Sequence, residues 1–348
     1  MTLETAAERV TLPLADPFTI SRSTQTDAEN LIVTVTDEAG HTGVGGAAPS
    51  KHYGETADTV AAVLSDLLAD VESVGDPHAL EQIETRMRST VADNPAARCA
   101  VSIAMWDLAA KRVDLPLYRL WGLDPSATPV TSFTVGIDTT ARMHEKAAAA
   151  AEAGYSVLKV KLGGDRDREI VEAVRDAAPA ATLRVDANEA WTPREAVMKS
   201  GWLADLGVEF VEQPVPASNR EGLRFVYERS ALPIAADESC VTAADVPAVA
   251  DRCDIVNLKL MKTGGLAEAR RAIATARAHG LEVMLGCMIE SNASIAAAAH
   301  LAPSVDYADL DGSLLLETDP FTGVDLAGGS IDLAGTDHPG TGAVRDDR

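Results

Sequence analysis

From about residue 129 onward, short apolar runs recur at intervals of roughly 25 residues, and this rhythm limits the fold more than any other feature of the chain. The runs are VTSFTVGI, VLKVKL, TLRVDAN, GVEFVEQ, PIAAD, DIVNLKL, LEVMLGC and YADLDG. Each has the length and residue types of a buried strand. Ala-rich stretches such as TARMHEKAAAAAEAG and LAEARRAIATARAHG lie between them and read as helices. Eight strands, each but the last followed by a helix-length stretch, point to an α/β chain folded as a (β/α) barrel. A doubly wound open sheet does not usually need eight such units in a row.

The first 56 residues or so read differently. NLIVTVTDEAGHTGVGGAAP is a strand, a turn at Glu38-Ala39-Gly40 and a second strand. From Glu55 to Leu123 apolar residues recur at three and four, and Asn94-Pro95 marks a helix start. This is a small α+β domain ahead of the barrel. The Gly-rich tail, DPFTGVDLAGGSIDLAGTDHPGTG, reads as irregular or hairpin and could return to that first domain.

Composition excludes several partners. A net charge of −23 argues against nucleic acid and against an anionic membrane surface, both of which need a basic patch. No run reaches the ~18 apolar residues of a membrane span. MTLETAAERV carries acids and no apolar core, so it does not read as a signal peptide. Cys99, Cys240, Cys253 and Cys287 show no CxxC or Cys/His spacing and read as reduced residues of a cytoplasmic protein. The acids are spread along the chain, and eight lysines stand against 22 arginines. Such a surface suits a high-salt cytoplasm, where counter-ions screen the self-repulsion; an ordinary acidic protein is the alternative.

Against that scarcity, Lys159 and Lys161 sit one residue apart on an apolar strand, LKVKL. In a barrel alternate strand residues point inward, and active sites lie at the C-terminal strand ends. By this rule Lys159 and Lys161 face inward on the second strand, Asp186 and Asn188 on the third. Glu212 ends the fourth, Asp237 the fifth, Lys259 the sixth, and Asp309 with Asp311 the eighth. Asp186, Glu212 and Asp237 are spaced by 26 and 25 residues, one βα unit each. Three carboxylates at the same phase of consecutive units suit Mg²⁺, a hard cation that keeps positions open for water or substrate. Taken singly, each is one acid among 53.

The second and sixth strands face each other across an eight-strand ring. Lys161 and Lys259 can therefore address opposite faces of a small-molecule substrate held over the metal. That suits moving a proton from one face of a carbon to the other through a metal-stabilised enediolate. Lys159 is expected to lower the pKa of Lys161 and to hold a substrate carboxylate. The alternative is that both lysines pair with nearby acids for structure. Asp309 and Asp311 would attract a cation such as the free ammonium of an amino acid or peptide. Lys262 with the following Thr-Gly-Gly reads as a tight turn rather than a phosphate cradle. Arg22, in the TISRSTQTD stretch, is expected in a flexible loop, either against an anionic substrate group or solvated.

These motifs together resemble the enolase superfamily and its muconate-lactonizing subgroup over nearly the whole chain. AMWDLAAKRVDLPLYRLWG resembles the helix linking cap and barrel, KVK the KxK signature, and VDAN, VEQP and ADES the three metal-ligand strands in order. The resemblance implies a (β/α)7β barrel at 126–320 and an α+β capping domain at 1–125 completed by 321–348. It places Mg²⁺ on Asp186, Glu212 and Asp237 and the acid/base roles on Lys161 and Lys259. NLKLMKTGG and the Asp309-x-Asp311 pair resemble the dipeptide epimerases, in which paired aspartates bind the dipeptide's α-ammonium. There is one departure. Some of those enzymes, acting on L-Ala-D/L-Glu, carry an arginine six residues after the Pro of PF; here that position is Ser23, and Arg22 precedes it. A muconate-type cycloisomerase or an N-acylamino acid racemase would use the same lysines, and a non-catalytic binder on this barrel would use neither. The side-chain preference and the oligomeric state, a homo-oligomer included, are left open by the sequence.

Overall fold

The computed structural model describes residues 2–336 and 338–346. Of the tail 321–348, residues 337, 347 and 348 thus lie outside the described residues. The chain opens with an antiparallel sheet of β1 (Leu3–Ile20), β2 (Ser23–Asp37) and β3 (Thr42–Ala47) in sequential order. β1 and β2 form one long hairpin, from Leu3 opposite Asp37 to Ile20 opposite Ser23. Its ladder is interrupted between Pro13 and Phe18, where Pro13 and Pro17 have no N–H to donate. Arg22 therefore sits at a hairpin tip, where a flexible loop was expected.

Three helices follow, α1 (Ala57–Val74), α2 (Leu80–Thr90) and α3 (Pro95–Arg112). Asn94 and Pro95 open α3 as its N-cap and first residue. α3 is buried along nearly its whole length. Gly43 and Gly45 let β3 lie directly on it: a Cβ at either would fall 2.0 Å from Ala104 O or 2.1 Å from Ala100 O.

The barrel strands are β4 (Phe133–Val135), β5 (Val157–Lys161), β6 (Thr182–Asp186), β7 (Val208–Glu212), β8 (Ile234–Ala236), β9 (Ile255–Lys259), β10 (Glu282–Gly286) and β11 (Tyr307–Asp309). They are parallel and pair in sequence order. Ser132 N donates to Ala308 O (3.1 Å) and closes the ring between first and last strands. Two expectations need adjusting. β8 stops at Ala236, so Asp237 stands one residue past it, and the next helix is a single turn, Val246–Val249.

Side chains fill the barrel in layers. At the N-terminal end Arg184 lies 5.2 Å from the ring centre of Phe210 and 5.0 Å from that of Tyr307, with Ile255 and Met284 beside them. Glu209 accepts from Arg184 Nε (2.7 Å). This seals the bottom, so charged residues one layer up open toward the mouth. The tail forms a small hairpin, Phe321–Thr322 against Val344–Arg345. It docks on α3, where Thr341 N donates to Asp107 Oδ1 (2.7 Å), and His300 Nε2 donates to Thr341 O (3.1 Å). His300 Nδ1 accepts from Tyr118 N (3.1 Å), which makes the imidazole neutral with its proton on Nε2.

Candidate active site

Parallel register gathers the carboxylates. Asp186 pairs with Glu212 on β7 and with Lys161 on β5, so all three stand side by side at the strand ends. One oxygen each from Asp186, Glu212 and Asp237 lies within 4.8 Å of the others. All three residues are buried. Burial and then the Asp186 charge push Glu212 up to about 7. Burial opposes ionisation of Asp186, but Lys161 and Lys159 outweigh it and hold that carboxyl below its ordinary value. Asp237 is held well below its ordinary value against the effect of burial, by Lys259 and Lys262.

These residues fit a divalent cation. The donor set is all oxygen. Glu212 Oε2, Asn188 Oδ1 and Glu238 Oε2 are buried acceptors without a hydrogen bond among the described residues. Lys159 Nζ does lie 2.7 Å from Glu212 Oε2, but outside hydrogen-bonding angles, so the contact is Coulombic alone. Buried acceptors left without donors are costly unless a cation or its water shell meets them.

Lys161 Nζ lies 2.6 Å from Asp186 Oδ2, and Lys259 Nζ lies 2.7 Å from Asp237 Oδ2. The two lysines come from β5 and β9, four steps apart in the ring, as the sequence spacing required. Burial disfavours the charged form of Lys259, but Asp237 overcomes it and its pKa lies above the ordinary lysine value.

Lys159 differs from its expectation. It is 1% exposed and touches Asp309 Oδ2 (2.6 Å), Glu212 Oε2 (2.7 Å) and Asp186 Oδ2 (3.5 Å). Those carboxylates overcome its burial and hold it charged, well above the ordinary value. It is an enclosed internal cation paired with carboxylates, two of them members of the triad. Asp309 is likewise committed, accepting from Lys159 and from Ser132 Oγ (2.5 Å). Asp311 accepts from Thr134 N (2.6 Å) and has no salt-bridge partner among the described residues; burial and then Asp309 push it up to about 7.

Arg22 lies at the site, but bound to the protein. Its Nη2 donates to Glu238 Oε1 (2.7 Å), its Nη1 donates to Asn188 O (3.2 Å), and Glu189 Oε2 is 3.6 Å away. Three residues without an assigned role in the sequence support the triad. Asn257 Nδ2 donates to Glu212 Oε1 (2.7 Å). Lys262 Nζ donates to Asp237 Oδ1 (2.6 Å) and to the carbonyls of Asp237, Asn257 and Cys240 (2.7, 2.9 and 3.0 Å). Glu238 anchors Arg22. The turn expected after Lys262 is present, closed by Gly264 at φ 90°. Lysine scarcity alone could have flagged Lys262; nothing local distinguishes Glu238.

Residues 2–122 match the mandelate racemase/muconate lactonizing enzyme N-terminal domain, and residues 142–347 match the enolase C-terminal domain-like family. The chain belongs to this branch of the enolase superfamily, a class of enzymes built as cap and barrel. Within it the chain is 38% identical over 335 residues to the L-Ala-D/L-Glu epimerase of Bacteroides thetaiotaomicron, covering 96% of this chain and 86% of that one. It superposes on the substrate-liganded L-Ala-D/L-Glu epimerase from Bacillus subtilis with a TM-score of 0.93 at 33% identity, over 99% of both chains. It also superposes on a dipeptide epimerase from Enterococcus faecalis complexed with Mg and L-Leu-L-Tyr, with a TM-score of 0.89 at 35% identity, over 99% of this chain and 100% of that one.

Proposed function

We propose that the chain is a Mg²⁺-dependent dipeptide epimerase that inverts the α-carbon of the C-terminal residue. The observation that carries this is a pair of lysines, Lys161 and Lys259, reaching from opposite strands to a shared triad of carboxylates. Asp186, Glu212 and Asp237 would hold the metal, which stabilises the negative charge of an enediolate when bound. One lysine removes the α-proton and the other returns a proton to the opposite face. Each has a side chain about 10% exposed, enough to meet a substrate in the mouth, whereas Lys159 is sealed below and fixes Asp309 and Glu212. The substrate's α-ammonium falls to Asp311, a carboxylate at the mouth that has no salt bridge among the described residues. That preference separates this reading from an N-acylamino acid racemase, whose substrate has no ammonium to offer.

The cap is taken as 1–125 with 321–348 and the barrel as 126–320. Among the described residues all cysteines are free thiols and no helix is long and apolar enough to cross a membrane. Free thiols suit a reducing cytoplasm, which cell fractionation would test. The deciding experiment is incubation with Mg²⁺ and unblocked L,L-dipeptides in D₂O. Deuterium should enter the C-terminal α-position as the other epimer appears; no exchange across a broad panel would refute the reading.

A further inference from the structure

One carboxylate outside the triad gathers the loops that leave Lys161 and Asp186. Among the described residues the last backbone hydrogen bond between β5 and β6 runs from Leu162 N to Asp186 O (2.9 Å). Past it the two loops touch at Gly163, which has φ 134° and where a Cβ would fall 2.8 Å from that of Ala190. Asp167, the first residue of the helix Asp167–Ala177, turns back to both loops. Its Oδ1 accepts from Gly163 N (2.9 Å) and Gly164 N (2.8 Å), and its Oδ2 accepts from Trp191 Nε1 (2.8 Å) and Lys199 Nζ (2.5 Å). Trp191 N in turn donates to Pro214 O (3.0 Å), two residues past Glu212. Asp167 thus joins the loop after Lys161 to the loop after Asp186, and the Trp191 backbone carries the tie on to the loop after Glu212.

Asp167 is 2% exposed and Trp191 3% exposed. Lys199, one of eight lysines in the chain, comes from the helix Pro193–Asp205, and its ammonium lies 4.7 Å from the ring centre of Trp191. A buried carboxylate that takes four N–H donors, one of them cationic, is a stiff anchor, because the loss of any donor leaves charge or lone pairs unmet. Stiffness counts here. Lys161 has to reach a substrate carbon, and misplacing a reacting group by about 1 Å can cost on the order of 10²-fold in rate. Lys259, on β9 across the ring, is held by Asp237 instead.

We infer, on the two-lysine reading of the site, that Asp167, Trp191 and Lys199 are positioning residues for one base: they fix the chain leaving Lys161 against the chain leaving Asp186, and so set the rate of proton transfer on the Lys161 face of the substrate but not on the Lys259 face.

Trp191→Phe removes one donor and keeps a ring against Lys199. Lys199→Met removes the cation, and Lys199→Arg restores it. With Mg²⁺ and an unblocked dipeptide, Trp191→Phe and Lys199→Met should each lower kcat by about tenfold with KM little changed, and Lys199→Arg should recover most of the loss. The distinguishing readout is the primary isotope effect on kcat/KM for α-deuterated substrate, measured separately from each epimer of the C-terminal residue. Slowing the Lys161 step alone should raise it for the epimer whose proton Lys161 removes and lower it for the other, so that the two values move apart. Values that move together would mean a general loosening of the loops and would overturn the inference, as would wild-type rates in both Trp191→Phe and Lys199→Met. A wild type that turns over no dipeptide would sink the epimerase reading, and this inference with it.

Discussion

Replacing Asp311 by Asn removes a charge and almost nothing else. The Asn carbonyl oxygen can still accept from Thr134 N, which Asp311 Oδ2 does at 2.6 Å, so the local fold should hold. What goes is the carboxylate that meets the substrate ammonium. A hydrogen bond to a charged group is worth roughly 1.5–3 kcal/mol, or about one to two decades in kcat/KM if fully expressed at the transition state. For the wild type, a free dipeptide should therefore outperform its N-acetyl form by ~10- to 100-fold. In Asp311→Asn the two should approach parity, because each has lost one side of the same contact. The assay is kcat/KM for both substrates with both proteins. A wild-type enzyme that prefers the blocked dipeptide, or treats the two alike, would refute the ammonium assignment.

The same carboxyl gives a pH signature. Burial and Asp309 push Asp311 up to about 7, while a free α-amino group loses its proton near ~8. The advantage of the free dipeptide should grow as pH rises toward 7 and shrink beyond ~8. Stability runs the other way. The folded pKa lies above the unfolded one, so the contribution of this group is fully present below the unfolded value and lost as pH rises through about 7. Without substrate, Asp311→Asn should therefore melt higher than wild type at pH 8, by on the order of 1–4 kcal/mol, with little difference at pH 4. A lower melting point at pH 8 would contradict the unpaired charge.

Other outcomes follow from the same contacts. Exhaustive chelation should abolish turnover, and Asp186→Asn, Glu212→Gln and Asp237→Asn should each lose most of it; full activity after chelation would exclude the metal. Lys161→Ala and Lys259→Ala should both stop epimerisation while one still exchanges the α-proton of a single epimer in D₂O, and normal epimerisation by either would exclude the two-base scheme. Lys262→Met should lower stability by ~3–5 kcal/mol and weaken Mg²⁺ binding, since it strips a buried carboxylate and three carbonyls of their donor; an unchanged melt and metal affinity would refute that role. His300 is pushed down to about 4 by burial, so stability should be lost as pH falls from ~6.5 toward 4, and His300→Gln should flatten that part of a stability–pH curve. With −23 charges spread along the chain, the melting temperature should rise between low salt and ~2 M KCl; a flat or falling trend would contradict the screening argument.

How much of this was legible in the sequence depended on whether a residue's role was set by its strand or by its neighbours in space. The barrel was legible because each βα unit repeats the same local pattern, and a period-2 strand with one buried end leaves little choice of phase. Lys161, Lys259, Asp186 and Glu212 followed from that phase. Asp237 followed as well, although its strand ends a residue early, since the chain continues in the same direction past Ala236. The roles of Lys159, Asp309 and Arg22 did not follow. Inward direction says that Lys159 enters the barrel; it does not say that Asp309 and Glu212 lie within 2.7 Å and absorb its charge. Arg22 was read as a loop residue because TISRSTQTD lacks apolar alternation, yet a hairpin whose tip bridges two layers needs cross-chain partners rather than an apolar face. Those partners, Asn188 and Glu238, are 166 and 216 residues away.

The pairing of lysines and carboxylates also changes how the opening pair of lysines works. Read from the strand alone, Lys159 is a free ammonium that depresses the pKa of its neighbour. In the fold it is neutralised by Asp309 and Glu212, and Lys161 has a carboxylate of its own in Asp186. Two like charges 2 residues apart are tolerated because each has an acid partner on another strand. The consequence is that Lys259 is held as an ammonium ion wherever Asp237 is free to pair with it. A cation bound to the triad competes for the same Asp237 oxygens, and Lys259 without its carboxylate becomes easier to deprotonate. Metal occupancy and the readiness of this base are then one equilibrium. Lys259 should accordingly titrate lower with Mg²⁺ than without it, which ¹⁵N-detected NMR of labelled lysines can follow; a Lys259 titration that ignores Mg²⁺ would break that coupling.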